Sequence, residues 1–436
     1  MLERLFKLRE NATTVRIEVL GGLTTFMTMA YIVFVNPAVL SQTGMDFEAV
    51  MAATCLSAGI ATLVMGLAAN YPIALAPGMG ENFFFLTVVG MGVSWQIALA
   101  AVFVSGIVFF LLTFLRVRQL IIDAIPASLK HAIAVGIGMF IALIGLVGAG
   151  IVERPESGIL HLADLSRPPV LVALAGLVLT AALLARRITG AILIGILSSG
   201  ALAWALGLVQ WQGLVDSPPS LAPTFLQLDL AGLLDAAMIP VVVIFLFMAV
   251  FDAIGTLIGV GEQGGFLRDG RLPRATPALM ADSSGTVVGS LLGTSTVTAY
   301  IESATGVEAG ARTGLANMVT GALFFLALFF SPLVRMVGGG VAVEGGMLQP
   351  ITAPALIVVG SLMARNVKRI DWSEMTEAFP AFLVMVGIPF AWSIADGIAF
   401  GFISYPLLKL LTGRPREASA LVYALGLLFV LRYALL

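Results

Sequence analysis

The sequence predicts an all-α polytopic membrane protein of fourteen crossing segments, arranged as two inverted sets of seven. Three observations lead there: a composition too apolar for water, a skew of basic residues to alternate loops, and two interrupted segments at corresponding positions of the halves.

Of 436 residues, 59% are hydrophobic and 11% charged. A soluble chain of that make-up could not cover its surface with polar groups. Apolar runs of roughly twenty residues, the length a helix needs to cross the hydrocarbon core, recur between short charged loops. They are continuous and rich in Leu, Ala, Gly, Val and Ile, whereas barrel strands would alternate over about ten residues. The crossing segments fall near 17–40, 48–69, 72–91, 95–115, 128–149, 168–185, 188–208, 236–260, 277–293, 297–309, 313–334, 351–364, 377–393 and 396–411. Met1 to Arg16 is charged and has no short apolar core ending in a cleavage site, so it reads as a retained cytoplasmic segment. With that end inside, nineteen of the 23 Lys and Arg fall on the cytoplasmic side and only Arg154, Arg167 and Arg335 outside, with Arg432 left over near the C-terminus. The skew is what the positive-inside rule predicts for a cytoplasmic N-terminus, and the expected location is a bacterial inner membrane. The last apolar stretch, 418–436, could cross, turn back or lie in the interface. Outer loops near 150–167 and 209–235 are too short to be domains.

Segment three, Ala69 to Phe83, contains Pro72, Pro77, Gly78 and Gly80 and cannot be one helix. Segment ten, Gly293 to Gly306, begins with hydroxyl and β-branched residues that suit an extended strand. Each is the third of its seven. Paired interruptions of this kind point to an inverted-repeat transporter with its site near the midplane, although Gly and Pro are also common at simple kinks. Unwound backbone at that depth must find polar partners in protein, water or substrate.

Two acids lie inside segments. Asp252 sits in segment eight and Glu302 in segment ten, beside the extended stretch. A carboxyl at such depth is costly unless paired, hydrated or neutralised, which makes each a candidate for proton coupling and ligand binding; the bland alternative is a helix-packing hydrogen bond. A neutral carboxyl both donates and accepts, matching the edge of a heterocyclic base. Glu81 and Asn82 follow the break in segment three and either cap its half-helix or touch substrate. Asp282 and Asp396 read as helix-end or interhelix hydrogen bonding, and Arg312 as an anchor at the cytoplasmic surface. Cys55 is a packed small hydrophobe. His131 and His161 lack metal-ligand spacing, so neither metal nor cofactor is expected. There is no phosphate-binding Gly-x-x-x-x-Gly-Lys motif, no soluble ATPase domain and no nucleophilic triad, which excludes a primary pump and an enzyme. A net charge of −2, with basic residues scattered over separate loops, argues against nucleic acid as a partner.

Several motifs occur together in order: Asn36-Pro37-Ala38, Ala76-Pro77-Gly78-Met79-Gly80, Phe251-Asp252-x-x-Gly255-Thr256-Leu257, Gly293-Thr294-Ser295-Thr296 with Tyr300-Ile301-Glu302-Ser303, and Ser393-Ile394-Ala395-Asp396-Gly397-Ile398. With them the sequence resembles the nucleobase-ascorbate transporter superfamily, more narrowly its adenine, guanine and hypoxanthine permease branch, over nearly the whole chain. The resemblance implies a core domain (17–115 and 236–334) and a gate domain (128–208 and 351–411), short strands with half-helices in segments three and ten, and a homodimer in the lipid bilayer. It implies a substrate-binding set of Asp252, Glu302, Gly78, Met79, Gly80, Tyr300, Ile301, Ser303, Thr256 and Thr25, with Glu81 and Asn82 as further candidates and Asp252 and Glu302 coupling protons. Uracil relatives carry a histidine four residues after the segment-eight acid, where Thr256 stands here. Glu81 replaces the leucine of the commoner Gly-Leu-Asn pattern. The expected function is import of a purine nucleobase with protons by alternating access. An anion transporter or exchanger of the same fold, or a permease for uracil or xanthine, is the alternative.

Overall fold

The computed structural model describes residues 2–115, 126–153, 160–235, 238–268, 272–343 and 346–435. Arg116, Arg118, Arg154 and Arg271 of the loop-charge count lie outside the described residues, as do residues 236–237 at the start of segment eight.

The first half comprises α1 (Leu2–Phe6), α2 (Val15–Met29), α3 (Ile32–Leu40), α4 (Phe47–Ala68), β1 (Leu75–Pro77), α5 (Met79–Gly90), α6 (Trp95–Phe114), α7 (Ala127–Gly148), β2 (Val152–Glu153), β3 (His161–Leu162), α8 (Pro168–Ala185) and α9 (Ala191–Ala205). The second half comprises α10 (Ile239–Gln263), α11 (Ala275–Leu292), β4 (Val297–Ala299), α12 (Ser303–Glu308), α13 (Leu315–Ala327), α14 (Ser331–Gly338), β5 (Val341–Val343), β6 (Gly346–Leu348), α15 (Ala353–Met363), α16 (Met375–Phe390), α17 (Ile394–Leu411) and α18 (Ala420–Leu435). Helix starts carry acceptors that satisfy first-turn amides: Asp46 accepts from the Ala49 N–H at 2.8 Å, and Thr14 and Ser94 play the same part for α2 and α6. Proline occupies the first turn of α8, α10, α14 and α15, where no amide partner is lost.

Among the described residues, eight helices are long and apolar enough to cross a membrane, counting α2–α3 and α13–α14 as one each. The chain is therefore a mostly helical, multi-pass membrane protein. Segment one differs from the continuous helix expected: α2 and α3 meet at Ala30–Tyr31. Segment eleven is interrupted too, by a 3₁₀ turn at Leu328–Phe330 ahead of Pro332. The final apolar stretch forms α18, which returns along α17. The Tyr423 hydroxyl donates to the Pro415 carbonyl at one end and the Tyr433 hydroxyl to Asp396, in the first turn of α17, at the other.

Two sets of helices pack internally. In one, α4 lies against α3, α11 and α13, α6 against α10 and α11, and α2 against α12 and α13; in the other, α7 lies against α15 and α16, α17 against α16 and α18, and α8 against α9 and α15. Small residues permit the close approaches that drive helix association in lipid. Gly314 lies so near the Gly66 carbonyl, and Gly360 so near that of Gly138, that neither leaves room for a Cβ.

At the centre of the first set, β1 and β4 pair antiparallel, Leu75 opposite Ala299, Ala76 opposite Thr298 and Pro77 opposite Val297. All six residues are buried. Their free backbone groups are taken up by surrounding helices, as unwound backbone away from water requires. From α4, the Thr62 hydroxyl accepts from the Leu75 N–H at 2.9 Å and donates to its carbonyl at 3.0 Å. From α11, Thr286 donates to the Val297 carbonyl at 2.8 Å. From α13, Asn317 donates to the Ile73 carbonyl at 2.7 Å.

Candidate functional site

The two-stranded crossing holds a half-helix at each side: α5 begins two residues after the end of β1, and α12 begins four residues after the end of β4. The Gly78 N–H donates to the Thr296 carbonyl at 2.9 Å, and the Tyr300 N–H to the Ala74 carbonyl at 2.9 Å, so each broken segment locks the other's turn.

Glu302 ends the second turn, half-buried, with Oε1 accepting from the Tyr31 hydroxyl at 2.8 Å. Tyr31 stands at the break between α2 and α3, its ring centroid 6.5 Å from that of Tyr300. The Tyr300 hydroxyl donates back to the Pro77 carbonyl at 2.5 Å. Thr28, a turn before Tyr31, shares a 3.0 Å hydrogen bond with Thr305 of α12. The break in segment one thus delivers a tyrosine and a threonine to Glu302, a contribution that sequence reasoning missed.

Asp252 lies on α10 and is exposed together with Gly255 and Ile258 of the same stripe. Ile301, 54% exposed, opens to this side as well, and its side chain lies against Gly259. The structure therefore brings Asp252, Ile301 and Glu302 to one open margin of the crossing. Asp252 is within electrostatic range of Glu302, and Glu81 within that of Asp252 and Asp282. Lys130 of α7 sits 5.5 Å above the ring of Phe251, next to Asp252 in sequence.

Other predicted residues take different places. Met79 and Gly80 are buried in the first turn of α5, with Gly80 facing Ile137 of α7 and Met248 of α10. Thr256 is 7% exposed. The Ser303 hydroxyl accepts from the Ala74 N–H at 3.0 Å, which gives it a backbone partner instead of an open face. Thr25 is wedged against Gly306 in the seam between α2 and α12. Asn82 is fully buried and accepts from the Ser295 hydroxyl, while Glu81 folds back over Gly78. Asp282 accepts the Ala299 N–H at 2.8 Å and anchors β4. Arg312 bonds the Val307 and Ala311 carbonyls, closing the end of α12, while Glu18 of α2 accepts its N–H at 2.9 Å. Asp396 lies far from this crossing, with Tyr433.

Buried polar atoms without partners are uncommon in folded proteins. Of nine such side-chain atoms among the described residues, five surround the crossing: Asn36 Oδ1, Glu81 Oε1, Asn82 Nδ2, Asp282 Oδ1 and Thr296 Oγ1. No group of three or more His, Cys, Asp or Glu able to hold a metal occurs among the described residues.

A cavity of about 1490 Å³ lies elsewhere, bounded by Glu48, Arg335, Gln349, Phe83, Phe140 and Trp392 among others, and contains none of the predicted site residues. Phe83 of α5, Phe140 of α7 and Trp392 before α17 form an edge-to-face row, with centroids 6.5 and 5.9 Å apart. Phe83 is one turn along α5 from Met79, so this row stands between cavity and crossing.

The family model labelled Xan_ur_permease and described as Permease family matches residues 16–400. The chain belongs to this family, within the nucleobase-ascorbate transporter superfamily. It is a transporter, not an enzyme. It is 45% identical to the adenine permease AdeP of Escherichia coli, over 99% of this chain and 96% of the relative. It is 43% identical to the guanine/hypoxanthine permease PbuG of Bacillus subtilis over the full length of both. Among solved structures it shares a fold with the transmembrane domain of the cyanobacterial bicarbonate transporter BicA, with a TM-score of 0.65, 14% identity, and coverage of 87% of this chain and 97% of that one.

Proposed function

We propose that this permease imports a purine nucleobase, adenine, guanine or hypoxanthine, by proton symport with alternating access. The observation that carries the reading is the meeting of Glu302 and Asp252 at the open margin of the β1–β4 crossing. Glu302, steadied by Tyr31, offers a carboxyl to a ring N–H or nitrogen of the base. Asp252 carries the proton, since it stands within electrostatic range of Glu302 and two neighbouring carboxylates disfavour each other's charge. The first-turn backbone at Gly78, Met79 and Gly80 supplies the other face, with Tyr300, Ile301, Ser303, Thr256 and Thr25 shaping and supporting the pocket. High identity to relatives named for adenine and for guanine/hypoxanthine supports the cargo.

In this reading the fourteen segments form a 7+7 inverted repeat. Residues 17–115 and 236–334 form the core, 128–208 and 351–411 form the gate, and α18 packs on the gate through α17. Transport is a rigid rocking of core against gate in a homodimer of the bacterial inner membrane, N-terminus inside. Uptake of radiolabelled adenine, guanine and hypoxanthine by cells lacking their own purine permeases tests this. The expected result is uptake of at least one that rises as external pH falls, and pH-independent or absent uptake of all three contradicts it.

The fold shared with a bicarbonate transporter favours a second reading, anion transport or exchange. The acids at the crossing weigh against it, because an anion is repelled by neighbouring carboxylates. Bicarbonate flux that persists in Glu302→Gln would favour it.

A further inference from the structure

Helix α5 starts in the buried centre of the protein. The N–H groups of its first turn have no intrahelical acceptors, and with the helix dipole they make a natural seat for an anion. The chain fills that seat itself. Glu81, third residue of α5 and 2% exposed, turns its carboxyl back so that Oε2 lies over Gly78, where no Cβ would fit. The N-cap Gly78 has no side chain and gives its N–H to the Thr296 carbonyl, so the carboxyl sits over the helix end without the reciprocal bonds of a capping box. Oε1 has no hydrogen-bond partner. Asp252 of α10, Asp282 of α11 and Tyr300 ahead of α12 lie within electrostatic range of this carboxyl, while Ile137 and Met248 pack against Gly80 beside it.

We propose that Glu81 is a specificity-determining residue: its carboxyl occupies the N-terminus of α5 from within, denies that terminus to the oxyanion of an ionised ligand, and restricts the site to neutral bases. In either protonation state the carboxyl oxygens take the space and partial positive charge that an anion needs, and when ionised they also repel it. The inference rests on the purine reading of the preceding subsection and adds a charge filter to it.

The test is competition on purified protein near neutral pH. Tritiated hypoxanthine, neutral there, is displaced by unlabelled hypoxanthine or by urate, a purine of the same ring skeleton that is a monoanion there. In the wild type, urate competes far more weakly than hypoxanthine. Glu81→Ala frees the amides, and the ratio of urate to hypoxanthine affinity rises about tenfold, the scale of one charge at a helix N-terminus. Glu81→Gln, which keeps an acceptor oxygen on the amides, stays within about threefold of wild type. Glu81→Leu provides the same readout as Ala should the smaller side chain destabilise the fold. A ratio unchanged in Ala and Leu variants that still bind hypoxanthine overturns the filter and leaves the purine reading standing. A wild type that binds no purine overturns that reading first, and the filter with it.

Discussion

Segments three and ten make the same move, a short strand followed by a half-helix, and use their acids in opposite ways. Glu81 belongs to the first turn of its half-helix and bends back over Gly78, with Oε1 left without a hydrogen-bond partner. Glu302 precedes its half-helix without capping it by its side chain, and is held instead by Tyr31, nearly three hundred positions away in sequence, at the open margin. The lengths fit these parts, twelve residues for α5 and six for α12. Two matching breaks thus yield one acid held across the molecule at the open margin and one turned back onto its own helix end.

The comparison is broken most severely at Glu302. Glu302→Gln keeps size and removes charge, and is expected to abolish uptake or weaken it by about a hundredfold, the upper range for a buried charged hydrogen bond; near-normal apparent affinity in transport assays would place the base elsewhere. Asp252→Asn is expected to leave binding within several-fold of wild type while removing the dependence of uptake on external pH, checked by uptake across an imposed pH series. Tyr31→Phe removes the 2.8 Å bond to Glu302. It is expected to weaken apparent affinity by about tenfold, with an unchanged melting temperature of the purified protein, as loss of one hydrogen bond to a charged group would do. Asp282→Asn should touch stability before affinity. It weakens the acceptor for the Ala299 N–H, and about 1–2 kcal/mol of destabilisation is expected, read as a lower melting temperature with purine affinity retained.

Much of the architecture was legible in sequence because its causes are local. Pro72, Pro77 and Gly78 interrupt the helix where the structure has β1 and the turn into α5, while Gly80 falls inside α5. The hydroxyl-rich run from Thr294 to Thr298 leads into β4. What escaped depends on partners distant in sequence. No proline or glycine marks Ala30–Tyr31, so nothing announced that segment one breaks there or that its tyrosine reaches Glu302. The resemblance puts Ser303 and Thr25 in the binding set, but no local pattern announces that the Ser303 hydroxyl also accepts the Ala74 N–H or that Thr25 lies against Gly306. Thr62, Thr286 and Asn317 resemble ordinary membrane-helix polar residues until the strands they satisfy are seen in place. The return of α18 along α17 was equally open, since an apolar run of that length fits a crossing, a hairpin or an interfacial helix.

The most direct measurement is accumulation of tritiated hypoxanthine in liposomes carrying the purified protein, with the internal and external pH set independently. An inward proton gradient is expected to drive wild-type accumulation above the external concentration, Asp252→Asn to reach equilibration only, and Glu302→Gln to show little entry. Accumulation indifferent to the gradient, or equal in all three proteins, would contradict proton-coupled purine transport at this crossing.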